Sequence, residues 1–331
     1  MTPYQAPDPY DPNMPAAYLP QGFLPPVQPI TGADYDPYTD PLVPPPNMGV
    51  SGWFDRVGGV LKRSWKSIAG ILAVTHVLPG LLFTLAVGVL TAVFAASMVS
   101  NLSTYNTSSR RGELPFDGGV FVLVILAAIV VGLISYMIQM VGYAGATYAT
   151  TREAAGIPVR LGEALGYGFR RGMGLFGWQL LVGLLCVVAV LLCFLPALYV
   201  IPATALVGPI FLFERQRPLA RSFEIFNRNL GRVLGRLALV LVALIVGSIL
   251  TNLVESVVQA VVGGGVGGLS GGNSDAVEAL SLGAGAIVAV LFSTIIQLPI
   301  TMVQFAGILV TYTEQRGHEG ANTARLVAEL N

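Results

Sequence analysis

Six long apolar runs, nearly free of charge, divide this chain, and the basic residues gather on one side of the zigzag that six crossings would trace. That partition constrains the fold more than any other feature. A bilayer core about 30 Å thick takes roughly 20 apolar residues per helix. Peptide groups inside it must find partners within the protein, so a spanning segment becomes a helix or joins a closed barrel. The runs lie near 68–98, 120–149, 175–195, 197–213, 233–262 and 282–313. They are too long for barrel strands, which predicts an all-α polytopic membrane helix bundle with six transmembrane helices. A chain with 54% apolar and only 11% charged residues suits no soluble fold.

Net charge is zero and uninformative; its placement carries the signal. Of the 18 Lys and Arg, only Arg110 and Arg111 fall on the side opposite the rest. Basic loops stay on the cytoplasmic side, so both termini are expected there, in a bacterial plasma membrane. Residues 1–50 hold 14 of the 22 prolines, five tyrosines and no Lys or Arg. A segment this poor in apolar surface predicts a disordered cytoplasmic tail, a spacer or a docking arm for a protein partner. Residues 316–331 form a short cytoplasmic tail at the other end. Nothing at the N-terminus reads as a cleaved signal peptide.

Three amphipathic stretches precede outward spans. In the first, 51–66, Trp53, Val57, Val60, Leu61 and Ser64 share a face opposite Arg56, Lys62, Arg63 and Lys66. This pattern predicts a helix lying in the interface. After the second span, Leu161, Ala164, Leu165 and Phe169 oppose Arg160, Glu163, Tyr167 and Arg171. After the fourth, Pro218 opens a helix whose Leu219, Phe223, Phe226, Leu230 and Val233 oppose Arg217, Arg221, Glu224, Arg228 and Arg232. The chain therefore reads as three parallel units, each an interfacial helix plus a transmembrane hairpin, beginning near 51, 157 and 217. Between the fifth and sixth spans, 263–278 reads as a glycine-rich loop.

The stretch 211–236, FLFERQRPLARSFEIFNRNLGRVLGR, carries a resemblance. Its Glu214, Pro218, Ala220, Arg221 and Ser222 resemble a signature of the bacterial six-span membrane family found fused to some glycerophosphoryl diester phosphodiesterases and in stand-alone proteins. That likeness extends loosely over 51–315. It implies a six-helix membrane fold and brings no activity, because the family's membrane portion is not its catalytic part and the phosphodiesterase barrel has no counterpart here.

Polar residues inside spans are costly and therefore candidates for function. His76 is the only histidine within a span. Asn252, Glu255 and Gln259 follow one another at i, i+3 and i+7 of the fifth span, and Gln297 and Gln304 flank Pro299 in the sixth. Gln139 and Gln179 lie nearer the cytoplasmic ends of spans two and three. Each has a structural alternative, since amides at such spacing often bond one helix to another. Span four is short and carries Pro202 and Pro209, which marks either a helix broken over a binding site or a kink absorbed by small neighbours. Cys186 and Cys193 read as packing residues. A G-x-G-x-x-G match at Gly263, Gly265 and Gly268 lacks the strand–turn–helix setting of a phosphate loop.

No nucleophile–base set, metal-ligand cluster or cofactor motif stands in the chain, so an enzyme is the least expected class. No cofactor or metal is expected. Positive-inside topology accounts for the arginines without nucleic acid. The same residues, Lys62, Arg63, Lys66, Arg160, Arg171, Arg217, Arg221, Arg228 and Arg232, are placed to meet anionic lipid headgroups at the bilayer surface. Two functions compete. The first is a non-catalytic membrane protein working through lipid or protein partners in membrane or envelope organisation. The second is a carrier of a small or amphiphilic solute, using the space between the hairpins, the broken fourth span and the polar face of span five.

Overall fold

The computed structural model describes residues 36–90, 94, 118–192, 194–269 and 275–330, without the side chains of 259 and 262–291. The expectations for 1–35, Arg110, Arg111 and Cys193 lie outside the described residues. Every regular element within them is helical. We number the helices α1 (Gly49–Leu90), α2 (Gly118–Ala154), α3 (Leu161–Leu191), α4 (Leu195–Thr204), α5 (Val207–Phe213), α6 (Pro218–Arg228), α7 (Leu230–Leu269), α8 (Asp275–His318) and α9 (Thr323–Leu330). Six spans are long and apolar enough to cross a bilayer, with α4 and α5 together forming the fourth. The chain is an all-α, polytopic helix bundle.

The amphipathic lead-ins depart from expectation. The first is not a separate interfacial element but the beginning of α1, whose 42 residues would reach about 63 Å at ~1.5 Å per residue. No proline interrupts 49–78, so the helix continues where the composition changes. Its predicted apolar face is correct: Trp53, Val57, Val60 and Ser64 are buried, while Lys62, Arg63 and Lys66 are exposed. That face packs on α8, with the Trp53 indole donating to Thr311 Oγ1 at 3.1 Å. The second lead-in is likewise continuous with α3, and here the face is misread. Tyr167 and Gly168 turn inward with Ala164, whereas Leu161 and Phe169 are exposed. Only the third stands alone, because the chain leaves helical geometry at Asn229 (φ −128°, ψ 39°). Its inward residues are Pro218, Ser222, Ile225 and Phe226, and Leu230 is exposed. The glycine run expected as a loop is helical as far as Leu269, within α7.

Helices neighbour one another in the order α7, α8, α1, α2, α3 and span four. Small residues set the α2–α3 spacing. A Cβ on Gly168 would stand 2.3 Å from the Val141 carbonyl oxygen, and one on Gly172 2.7 Å from Val141 Cα. Gly168 and Gly172 form a small-xxx-small seam that lets the two backbones meet. α6 bridges the ends of span four and α7. Above that bridge, among the described residues, no comparable packing joins span four to α7.

Burial is concentrated at the end of the bundle that carries the basic residues. Fully buried Leu42, Ile68, Leu212, Tyr312, Leu326 and Leu330 belong there. The apolar flanks farther along α2 and α3 are exposed, as in Leu123, Ile129, Leu184 and Leu191, and suit lipid. Part of the expected tails joins this core. Asp40 accepts from the backbone of Leu42 (2.9 Å) and Val43 (2.7 Å), and also from the Thr323 amide (3.0 Å) and hydroxyl (2.6 Å), so it caps α9. The Leu42 carbonyl accepts from Thr313. Residues 36–48 and α9 thus clasp each other on α8, where the sequence suggested two free ends.

Candidate functional site

Two local irregularities shape the middle of the bundle. Proline lacks an N–H and crowds the turn before it. Pro79 therefore cannot donate to the Thr75 carbonyl, and the preceding turn widens into a π turn over Ala73–Val77, closed by the Leu78 amide on Ala73. His76 sits inside that turn. In span four the helix breaks between Thr204 and Val207, at Ala205 and Leu206, three residues after Pro202. The buried Ser222 hydroxyl on α6 donates to the Ala203 carbonyl at 2.6 Å, so the loosened backbone keeps a partner.

Between these irregularities lies a cavity of about 700 Å³. It gathers the expected polar residues more fully than their sequence positions suggested. His76 from α1, Gln139 from α2, Gln179 from α3, Glu255 from α7, and Gln297 and Gln304 from α8 all line it, and span four adds Ala205 and Gly208. The cavity runs from Leu72 to Thr84 along α1, about 18 Å at ~1.5 Å per residue. The small residues Ala205 and Gly208, at and beside the break in span four, are cavity wall.

The fifth-span polar face is divided. Glu255 faces the cavity with Thr251, one turn away, while Asn252 is exposed and its amide donates to the Ser248 carbonyl of its own helix at 2.7 Å. A spacing of i, i+4 keeps two residues on one face better than i, i+3 over this helix. The Gln259 side chain lies outside the described residues. Sequence reading missed Tyr136, Tyr143, Thr84, Thr251 and Thr301, all cavity residues. The available signal was helical spacing: Gln297, Thr301 and Gln304 form one stripe, as do Tyr136, Gln139 and Tyr143.

Hydrogen-bonding capacity in the cavity is only partly used. Thr84, Thr251 and Thr301 donate to carbonyls of their own helices, at 2.9, 3.0 and 2.9 Å, and keep their oxygens as acceptors. The Tyr143 ring lies edge-on to Phe305 with centroids 5.5 Å apart, and its buried hydroxyl has no partner among the described residues. A buried polar atom of this kind needs a water or a bound group. Among the described residues, Glu255 makes no ion pair and no Lys or Arg lines the cavity. The site therefore offers one carboxyl, one imidazole and several amides and hydroxyls between apolar walls.

The basic end divides into free and engaged cations. Lys62, Lys66, Arg160, Arg217, Arg228 and Arg232 are exposed and Arg171 is half-buried. Arg63 is exposed too and reaches the Pro41 carbonyl at 3.3 Å. Arg221 differs, being held by Glu214 at 3.0 Å, by Glu224 at 3.1 Å and by Glu319. Burial works against its charge, but the bond to Glu319 and the Glu214 charge outweigh it and raise its pKa. Glu214 also accepts from Tyr312 at 3.1 Å. Glu214, Pro218, Arg221 and Ser222, the residues of the family resemblance, thus fasten span four to α6 and α8. Sequence reading also missed the pairing of Arg236 with Glu314, a buried bidentate contact with bonds of 3.0 and 2.9 Å.

No family model matches this chain, and neither a curated protein nor a solved structure is similar to it at a significant level.

Proposed function

We propose that this protein binds and carries a small amphiphilic, cationic solute through the bilayer, in a bacterial plasma membrane with both chain ends cytoplasmic. The observation that carries the reading is the convergence of all six spans on one cavity, with intramembrane polar residues from five of them. Isolated amides could be explained as helix-to-helix bonds. Four amides with His76 and Glu255 around a common space fit a binding site better, because ligand sites are apolar cavities with a few placed polar groups. Glu255, with no Lys or Arg beside it in the cavity among the described residues, favours a positive charge on the solute.

The alternative, a non-catalytic protein working through partners, has less support, since Asp40 and Leu42 of the segment expected as a docking arm are bonded within the chain. The family resemblance stays with this proposal as a statement about architecture. The exposed arginines would meet anionic lipid on the cytoplasmic leaflet, a contact compatible with carriage.

The test is transport by the purified chain in phosphatidylcholine vesicles, with ethidium as the hydrophobic cation and entrapped DNA as its fluorescent reporter. Uptake should exceed that of protein-free vesicles and should fall about tenfold or more in Glu255→Gln and in Gln304→Leu. Uptake equal to that of empty vesicles, or indifferent to both substitutions, would sink the reading.

A further inference from the structure

Among the described residues the ring of helices around the cavity is incomplete. Span four is attached to α3 along its length, α4 and α5 both meet α6, α5 also meets α8, and α7 is attached to α8. Between span four and α7 the only substantial connection among the described residues is α6. Beyond α6 these two elements flank a seam. Both contribute cavity residues, Ala205 and Gly208 on one side and Thr251 and Glu255 on the other. Their outward surfaces are apolar and exposed: Leu198 and Ile201 on α4, Leu241 and Ile245 on α7.

One wall of the seam is fixed. Span four is two short helices, of 10 and 7 residues, joined at the cavity wall. Both are fastened to α6: α4 through Ser222 on Ala203 and Tyr199 on Asn227, the end of α5 through Glu214 on Arg221.

We propose, building on the carrier reading, that solute enters this cavity sideways from the bilayer, through the seam between span four and α7, and that it is a single-chain amphiphile with an amine head. The head sits against Glu255 and the amides, and the alkyl chain lies in the seam among Leu198, Ile201, Leu241 and Ile245. A cavity that among the described residues has one carboxyl and no Lys or Arg fits an ammonium head and opposes an anionic one. An opening to hydrocarbon selects against solutes without a tail, which would have to cross lipid to reach it.

Dodecylamine carrying a diazirine at the end of its chain tests this directly, with the full chain in phosphatidylcholine nanodiscs. Photolabel should appear on span four and α7, within 198–205 and 241–251. It should vanish with excess dodecylamine, persist with excess dodecanol, and drop about tenfold in Glu255→Gln. Label that is equally competable but falls on α1 and α2 would overturn the lateral route and leave the carrier reading intact. Label in the outer groove of Leu244, Ser248 and Ile300 would do the same, since that groove lies on the flank of α7 and α8. If no saturable labelling occurs while Glu255-dependent ethidium uptake persists, the amine-amphiphile class falls alone. If both are absent, both proposals fall.

Discussion

Arg236 and Glu314 show how a single residue can be read correctly for charge and wrongly for place. Arg236 counts among the basic residues gathered at one end of the spans, yet its side chain is only 7% exposed and that of Glu314 5%. Nothing local in the sequence joins two residues 78 positions apart, so the pair becomes visible only when α7 and α8 are packed. Removing one partner of such a buried pair leaves the other charged and dehydrated. Glu314→Gln should therefore cost about 3–5 kcal/mol, measured as a fall in thermal unfolding in detergent. The double replacement Arg236→Met with Glu314→Leu should recover most of that loss, because it removes both desolvated charges. Ser222→Ala is a second case. It strips the donor from the Ala203 carbonyl at the break in span four, and should cost about 1–3 kcal/mol with a buried acceptor left open. His76, Glu255 and the glutamines were legible for the opposite reason: a polar group in an apolar run announces itself, although which groups meet does not.

At the scale of the element, existence was legible and continuity was not. A run of 20 apolar residues has few alternatives in lipid, so the six spans could be placed from composition alone. The boundary between a lead-in and its span depends on a break in backbone geometry. α1 and α3 contain none there, whereas Asn229 supplies one before α7. Inward faces were recovered when large residues marked them, as in Trp53, Val57 and Val60. They were lost in α3, where the seam is made of glycine and a hydropathy stripe has nothing to register. That seam yields a paired prediction. Gly168→Ala forces the backbones of α2 and α3 apart and should destabilise by about 1–3 kcal/mol. Gly177→Ala, on the same helix with open space around it, should be neutral or stabilising by up to about 1 kcal/mol. Pro79→Ala addresses the cavity instead. Without the proline the π turn can relax to an α turn, and one residue of register rotates a side chain by about 100°. His76 would then leave the wall, and ethidium uptake should fall with little change in unfolding temperature.

The whole molecule separates what holds it together from what it encloses. Its dense core lies at the basic end, where residues 36–48, the ends of α2, α5 and α8, and α9 pack around Leu42, Tyr312 and Leu330. The cavity lies toward the middle of the spans, where polar residues face it between apolar ones, of which Leu72 and Phe305 also belong to the core. The proposed carriage needs such a fixed end, because the flanks facing hydrocarbon gain nothing from burial against protein. Asp40 is the most compact expression of the fixed end, accepting four bonds that link the N-terminal segment to the start of α9. Asp40→Ala should release that clasp at a cost of about 2 kcal/mol or somewhat less, the upper range for a lost helix cap. Its unfolding temperature should drop while the ethidium affinity of the folded fraction stays at the wild-type value. Gln304→Leu should do the reverse, holding the unfolding temperature and losing affinity. Measured together by thermal unfolding and ethidium binding in the same nanodiscs, the two variants form a crossed pair. If Asp40→Ala weakened affinity as much as Gln304→Leu, the two ends would be one cooperative unit, and the cavity would not be separable from the fixed end.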